Sequence, residues 1–218
     1  MKSAGIITLC AAGIFLLSAF APAHQAGAAE LSGVAHPAGA TLRLVSENGQ
    51  KATVTTAPDG RYEFGTLSDG KYILQASAPG YASDSLEVRI SEGRSAKLNL
   101  RLLYISRIDG IDWSKGIIRA TGRGLYPADS PNRPAAREMA KRAALSDAER
   151  NLLGAVEQIK VGPNQDLISS AARSYIVRIK GYLQGFRVVG ERETDSGIEV
   201  ELELPLTGPD GLTRIISD

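Results

Sequence analysis

The sequence predicts two domains, an all-β sandwich over residues 29–103 and an α+β domain over residues 104–218. About seven short strand-like segments, with turn signals about every 8–12 residues, fill the first region and are typical of an antiparallel sandwich. After Tyr104 the spacing of apolar residues changes from a period of two to one near 3.6, which indicates helices. We expect two helices packed on an antiparallel sheet in this second domain.

The first 28 residues are expected to be a secretory signal peptide. Lys2 supplies the positive charge, and Ile6–Phe20 is an apolar run of 15 residues, shorter than the ~20 that a membrane-spanning helix needs. Two A-x-A cleavage sites follow, Ala21-Pro22-Ala23 and Ala26-Gly27-Ala28. Cleavage would leave no stable membrane span, and an uncleaved signal anchor is the alternative.

Cysteine and charge restrict the chemistry further. The single cysteine, Cys10, lies inside the predicted signal, and Leu9 stands before it where a lipidation site has a small residue. An exported chain without a thiol must rely on hydrophobic cores rather than disulfides. The net charge is +1, with 8 basic and 7 acidic residues over 31–103 and 16 of each over 104–218. Neither region has the basic excess of a nucleic-acid-binding protein, so we expect no nucleic-acid partner.

Turn signals delimit the strands of the predicted sandwich. Within Thr53–Tyr81, three turns at Pro58-Asp59-Gly60, Ser68-Asp69-Gly70 and Pro79-Gly80 separate strands that we predict to form a β-meander. Asn48-Gly49 predicts a hairpin before them. The predicted strands are Leu31–Ala35, Thr41–Ser46, Lys51–Ala57, Arg61–Gly65, Lys71–Ala78, Ser85–Ile90 and Ala96–Leu102.

Glycine- and aromatic-containing motifs give this region a family resemblance. They are Gly60-Arg61-Tyr62-Glu63-Phe64, Leu67, Gly70-Lys71-Tyr72 and Gly80-Tyr81, with Gly33-Val34 and Ala40-Thr41-Leu42 on the opening strands. Over roughly Leu31–Leu102 the chain resembles carboxypeptidase regulatory-like domains, which have a transthyretin-like β-sandwich. It departs from them in the short loop Pro37-Ala38-Gly39 and in Ala57, where such domains often carry aspartate. The resemblance implies an accessory module, sometimes grouped with carbohydrate-binding-like folds, without catalysis.

The second region is predicted to have the order β-α-α-β-β. Its elements are the strand Gly116–Thr121 after a turn at Asp112-Trp113-Ser114-Lys115, helices Ala135–Glu157 and Gln165–Lys180, and the hairpin strands Phe186–Glu193 and Ile198–Leu206. Gly181 is the expected end of the second helix. The residues expected on the buried helix faces are Ala136, Ala140, Ala144, Ala148, Leu152 and Ala155, then Ile168, Ala172, Tyr175 and Ile179.

Small residues and a charged helix segment carry a second resemblance, over roughly Gly116–Leu212. They are Ala120-x-Gly122-x-Gly124, the Arg142–Leu153 segment, Gly181-x-x-x-Gly185, Val188-Val189 and Gly197-Ile198-Glu199-Val200. With these residues the region resembles the small bacterial lipoprotein-like domain of exported envelope proteins, and a related domain at the N-terminus of a flagellar H-ring assembly protein. The absence of a lipidation cysteine departs from the lipoprotein members.

The sequence argues against a Ser-His-Asp or Cys-His catalytic site and contains no zinc-binding motif. The two histidines, His24 and His36, both lie near the start of the exported chain, so no later histidine can serve as a general base or zinc ligand. We expect His36, which precedes a Pro-Ala-Gly turn, to be an exposed turn residue.

Other candidate motifs have simpler structural interpretations. Gly122-Arg123-Gly124 lacks the third glycine and the βαβ unit of a dinucleotide loop, so we interpret these glycines as strand-end flexibility. Asp59, Asp69 and Asp195 fit hairpin turns better than a calcium loop. Asp147–Arg150, like Glu138–Lys141, is spaced i, i+3 on the long helix, either as an exposed pair or, for Asp147–Arg150, as a buried anchor on the sheet.

We therefore predict no catalytic, cofactor-binding or metal-binding residue. Only Trp113, Tyr104 and Tyr126 are left as aromatic rings that could stack on a sugar, and the turn around Trp113 favours packing instead. The apolar segment Leu100–Ile105 has no proline or glycine, so we expect Leu103 or Tyr104 to contact the second domain.

The expected function is that of an exported, non-enzymatic protein of a bacterial cell envelope, in the periplasm or secreted, with outer-membrane association as a further option. It would be a structural or protein-binding module in periplasmic or surface assembly, with an envelope protein as partner. The alternative is a carbohydrate- or peptidoglycan-binding accessory module with a glycan partner. An enzymatic function is the third interpretation, because no catalytic motif supports it.

Overall fold

The computed structural model describes residues 29–130, 132–167 and 173–217. The predicted signal peptide lies outside the described residues. The first half of the described chain is all β, and its strands are β1 (Ala29–His36), β2 (Thr41–Ser46), β3 (Lys51–Thr55), β4 (Arg61–Leu67), β5 (Gly70–Ser77), β6 (Asp84–Ile90), β7 (Ala96–Lys97) and β8 (Leu100–Arg101).

Two sheets face each other across a common core. Sheet I has the order β4-β1-β7, with β8 also paired to β1, and sheet II has the order β3-β2-β5-β6. Alternate residues of each strand turn inward because successive side chains of a strand point to opposite faces. The largest side chains of this sandwich core are Leu31, Leu42, Leu44, Tyr62, Phe64, Leu74, Leu86, Leu100 and Leu102.

The predicted meander is wrong. Strands β3 and β5 both pair with β2 in sheet II, whereas β4 pairs with β1 in sheet I. The turn at Pro58-Asp59-Gly60 is formed as predicted, since Gly60 N–H donates to Ala57 C=O at 2.8 Å, but it carries the chain from one sheet to the other. A turn signal specifies a reversal of direction and leaves open which strand the chain joins next.

The predicted seventh strand is divided into β7 and β8. Between β7 and β8 the Asn99 side chain replaces a backbone carbonyl as the hydrogen-bond acceptor for β1, because Val34 N–H donates to Asn99 Oδ1 at 3.1 Å. The Leu98 carbonyl accepts from the Tyr62 hydroxyl at 2.6 Å. A β-carbon at Gly33 would lie 1.9 Å from this Leu98 oxygen, so Gly33 is required for the close approach.

The second half contains the strands β9 (Ile111–Asp112) and β10 (Ile117–Leu125), helix α1 (Arg133–Glu157), strands β11 (Lys160–Gly162) and β12 (Gln165–Asp166), helix α2 (Arg173–Leu183), strands β13 (Arg187–Glu193) and β14 (Gly197–Pro205), and helix α3 (Leu212–Ile216). Sheet III has the order β13-β14-β10-β9. Helix α1 starts where the Asn132 side chain accepts from Ala135 N–H at 2.9 Å. It covers one face of sheet III with the predicted stripe from Ala136 to Ala155, which is buried throughout.

The interpretation of Gly122 and Gly124 as strand-end flexibility is wrong. Both lie inside β10, directly under α1. A β-carbon at Gly122 would lie 2.1 Å from the Ala148 nitrogen, and one at Gly124 would lie 1.9 Å from the Ala140 carbonyl oxygen. The glycines of the strand and the alanines of the helix therefore let the two backbones come unusually close.

The predicted second helix is wrong at both ends. Gln165 and Asp166 form β12, which pairs with β11 through a turn at Pro163-Asn164. Helix α2 continues past Gly181 to Leu183. Ile179 is buried as predicted, whereas Ile168, Ala172 and the side chain of Tyr175 lie outside what the structure describes. In the described parts of the chain, no helix is both long enough and apolar enough to cross a membrane.

Candidate functional site at the junction

The two halves meet at residues 102–105, which we name the junction segment. Its backbone pairs with the sandwich on one side, where Ala82 N–H donates to Leu103 C=O and Ile105 N–H donates to Gly80 C=O, both at 2.9 Å. On the other side, Tyr104 N–H donates to Lys160 C=O of β11 at 2.9 Å. The junction segment is thus tied to both halves by backbone hydrogen bonds, with Tyr104 forming a single β-bridge to each.

Neighbouring leucines of the junction segment enter different cores. Leu102 belongs to the sandwich core and Leu103 to the core around α1 and sheet III, and their exposed fractions are 1% and 0%. Full burial of one leucine stabilises a fold by about 1.5–3 kcal/mol. The predicted contact of Leu103 and Tyr104 with the second half is confirmed.

Hydrogen bonds also join the halves away from the junction segment. His36 Nε2 lies 3.2 Å from the Val161 carbonyl oxygen, so the ring donates there. Arg101 N–H donates to Ser217 Oγ at 2.9 Å, and Gly208 N–H donates to Asp84 Oδ1 at 2.6 Å. The expectation of an exposed turn histidine is wrong, because His36 ends β1 and is half-buried against β11.

The three aromatic candidates are all occupied by protein contacts and do not come together. Tyr104 packs edge-to-face on Tyr81 with ring centres 5.3 Å apart. The pKa of Tyr81 is raised mainly by burial and to a smaller extent by its electrostatic interaction with Tyr104. Trp113 Nε1 donates to Ser106 C=O at 2.8 Å. Tyr126 donates to Glu193 at 2.6 Å and lies under the Arg133 guanidinium. No aromatic platform for a sugar is formed by these rings.

The aspartates singled out by sequence have mainly structural roles. Asp59 Oδ1 accepts from Arg61 N–H within its own turn, whereas Asp69 accepts from Glu92 and Gly93 N–H of the loop between β6 and β7. Asp195 stands in the tight β13–β14 turn, which Thr194 N–H closes by donating to Gly197 C=O. Within the described residues, no group of three or more histidine, cysteine, aspartate or glutamate side chains is arranged to hold a metal ion.

Asp147 anchors helix α1 to the sheet, but its pair with Arg150 is exposed, so the alternative of a buried pair is wrong. Its pair with Arg150 spans 3.2 Å and is exposed on the arginine side. Its other oxygen accepts from Arg123 N–H at 3.1 Å, and Asn151 donates to Thr121 C=O at 2.9 Å. Helix α1 therefore closes the free edge of β10 with polar side chains. Lys141, predicted to pair with Glu138, instead forms an ion pair with Glu191 at 2.7 Å.

The face of sheet III away from α1 carries rows of arginine and glutamate. Arg119 and Arg187 both bond Glu203, with nitrogen–oxygen distances of 2.8 Å each. Arg123 and Arg192 share Glu199 in the same way. The hydrogen bond from Arg119, with further contributions from Arg187, holds the pKa of Glu203 below its ordinary value.

A groove lined mostly by residues with polar groups lies beside the junction, and the sequence did not predict it; we name it the polar groove. Its floor is the outer face of sheet II and its wall is Thr207-Gly208 from the second half, enclosing about 430 Å³. Finding it requires the strand order and register of sheet II together with a loop more than 120 residues away, which no local pattern encodes.

The comparisons with known proteins concern the first half. The family model of the carboxypeptidase regulatory-like domain matches residues 33–103. No curated protein matches the chain. The family match ends before the region of the second resemblance, to the lipoprotein-like and flagellar H-ring assembly domains, which therefore has no support here. The family match over residues 33–103 agrees with the two facing sheets of the first half. Residues 33–103 are therefore a carboxypeptidase regulatory-like domain.

Proposed function

We propose that this protein is an exported, non-enzymatic cell-envelope module that holds two binding surfaces at a fixed separation. In this proposal residues 29–103 and 104–218 are two domains, the second with helices on an antiparallel sheet. The protein acts in the periplasm or after secretion, and its partner is an envelope protein. The junction segment supports the proposal, because a flexible targeting tag would need a solvated linker, whereas Leu102 and Leu103 are both buried.

Distance measurements between spin labels test the fixed separation. The labels are placed on exposed residues of opposite halves, with Glu63→Cys on β4 and Glu149→Cys on α1, in a Cys10→Ser background that has no other thiol. We expect one narrow distance distribution. A pair within the sandwich, Glu63→Cys with Glu87→Cys, provides the reference width.

The substitution Leu103→Asp serves as a control in which the contact between the two halves is disrupted. A carboxylate at a fully buried position should separate the halves, so the distribution between the halves should broaden while the reference pair stays narrow. A distribution in the unsubstituted chain that is much broader than the reference would contradict the fixed-separation proposal.

Export is tested separately. Mass spectrometry of the native protein should find an N-terminus between His24 and Glu30, as the A-x-A sites predict. An intact Met1 or a lipid-modified Cys10 would contradict it.

The second candidate function is a carbohydrate- or peptidoglycan-binding accessory module. The polar groove beside the junction favours it, since a cavity of about 430 Å³ where two halves meet is a common place for a ligand. It is compatible with the first candidate, because a fixed module can also carry a ligand.

A further inference from the structure

One cross-strand row forms the floor of the polar groove. The pairing registers place Thr53, Arg43, Gln75 and Ser85 side by side across β3, β2, β5 and β6. All four side chains are exposed, whereas neighbours along the strands such as Leu42, Leu74 and Leu86 point into the sandwich core. Three strand spacings make the row about 14 Å long.

Arg43 is the only cation among the described residues that line this groove. Within the described residues, its guanidinium forms no hydrogen bond and no ion pair. This distinguishes it from Arg119, Arg123, Arg187 and Arg192 on sheet III, each of which is paired with a glutamate. A guanidinium presents a planar fork of donors that fits a carboxylate in two parallel hydrogen bonds.

The other lining side chains are mostly hydroxyl and amide groups. Thr53, Gln75 and Ser85 on the floor and Thr207 on the wall can each donate and accept hydrogen bonds. The one acid in the lining, Asp84, is 6% exposed and is engaged by Gly208 N–H and Ser85 N–H. Its carboxylate is therefore engaged by backbone N–H groups, and among the described residues it forms no ion pair with Arg43.

We propose that this groove binds a polyhydroxy carboxylic acid, the chemistry of a uronic acid, with the carboxylate on Arg43 and the hydroxyl groups on the surrounding row. One cation matches one carboxylate, and uncharged donor–acceptor side chains match hydroxyl groups. A peptide would bring apolar side chains, for which the lining offers no apolar residue larger than Ala76. The proposal rests on the fixed arrangement proposed above, because Thr207 and Gly208 come from the second half.

The test measures binding of four probes to the full chain by ligand-observed NMR. The probes are glucuronate, glucose, acetate and an acetylated glutamate peptide. We expect glucuronate to bind at least tenfold more tightly than the other three. Equal binding of glucose would remove the role of the carboxylate, equal binding of acetate would remove that of the hydroxyl groups, and equal binding of the peptide would assign the groove to acidic peptides. Each of these results overturns the proposal.

Matched variants locate the site. Arg43→Gln should weaken glucuronate binding at least tenfold, whereas Arg89→Gln should change it less than twofold, since Arg89 lies on the same face but about 13 Å from Ser85 along β6. Equal effects of the two variants would overturn the proposal. Circular dichroism of both variants shows whether the sandwich is intact, and the conservative Arg43→Lys should restore part of the binding.

Failure of the binding site and failure of the fixed arrangement give different results. Asp84→Ala removes the bond to Gly208 and should weaken glucuronate binding about threefold without touching Arg43. If the spin labels show a broad distribution while binding still depends on Arg43, the row on sheet II is the binding site by itself, and both the fixed arrangement and the contribution of Thr207 fail. A narrow distribution with no binding of glucuronate refutes the groove alone.

Discussion

At the scale of single residues, the contact between β10 and α1 depends on the absence of side chains. Gly122→Ala would place a β-carbon against the Ala148 backbone nitrogen, so helix and strand would have to separate. We expect a loss of about 1–3 kcal/mol in the free energy of unfolding, measured by urea titration. Gly154→Ala within α1 is the control, because its β-carbon would meet nothing within 4 Å, and it should stabilise by about 0.5–1 kcal/mol. Equal effects of the two substitutions would contradict the close approach.

Glu203, on the face of sheet III away from α1, should make the stability of the protein depend on pH. Its pKa is lowered in the folded protein, chiefly by the hydrogen bond from Arg119. The unfolded chain then takes up this proton at higher pH than the folded one, so the stabilisation is complete above the unfolded pKa of about 4.3 and is lost as the pH falls through the folded pKa. We expect Glu203→Gln to lower stability at pH 7 and to differ less from the unsubstituted protein near pH 3.

An exposed glutamate of the sandwich gives the comparison for this pH effect. Glu63→Gln should have little effect on the free energy of unfolding at either pH, since Glu63 is exposed on β4. A difference between Glu203→Gln and the unsubstituted protein that stays constant from pH 7 to pH 3 would argue against the lowered pKa.

At the scale of elements, Asp147 anchors α1 to the edge of β10. Asp147→Ala removes both the bond to Arg123 N–H and the pair with Arg150, whereas Arg150→Ala removes only the exposed pair. We expect about 1–3 kcal/mol of destabilisation for the first and less than about 0.5 kcal/mol for the second, measured by thermal and urea unfolding. Similar small values for both would show that the anchor contributes nothing.

Most strands could be predicted from the sequence because their buried residues alternate. The predicted bounds of β2 are those of the structure. In the β13–β14 hairpin, three of the four strand ends differ from the prediction by one residue, and the fourth agrees. The order of strands within sheets I and II could not be predicted, since alternation fixes which face is buried but not which neighbour is paired. For the same reason, the row that places Arg43 beside Thr53 and Gln75 could not be predicted.

Two errors had signals that were present in the sequence. Gly162-Pro163-Asn164 is a turn signal, and it marks the β11–β12 hairpin that the predicted second helix overran. Gly122 and Gly124 share their small size with the alanine stripe of α1, and this match indicates close packing better than flexibility. By contrast, the pairing of His36 with Val161 joins residues 125 apart, and no local pattern predicts it.

At the scale of the whole molecule, the junction segment should make the two halves unfold together. Trp113 is the only tryptophan and packs in the second half, so its fluorescence reports that half alone. Leu102→Ala lies in the sandwich core and should cost about 2–5 kcal/mol. If the halves are coupled, this substitution lowers the denaturation midpoint seen by Trp113 as much as that seen by circular dichroism. An unchanged fluorescence midpoint would show that the halves unfold independently.

The parallel pairing of β1 with β7 and β8 has a mechanical consequence. Tension applied between Ala29 and the junction segment pulls these strands past each other, so their hydrogen bonds are loaded together in shear. Tension between Thr41 and Thr55, which face each other at the open end of the β2–β3 hairpin, breaks its bonds one after another. We expect single-molecule pulling to need a clearly larger force in the first geometry than in the second, and equal forces would refute this. Along the line from its first strand to its second half, this protein should therefore resist stretching and transmit a load between whatever binds at its two ends.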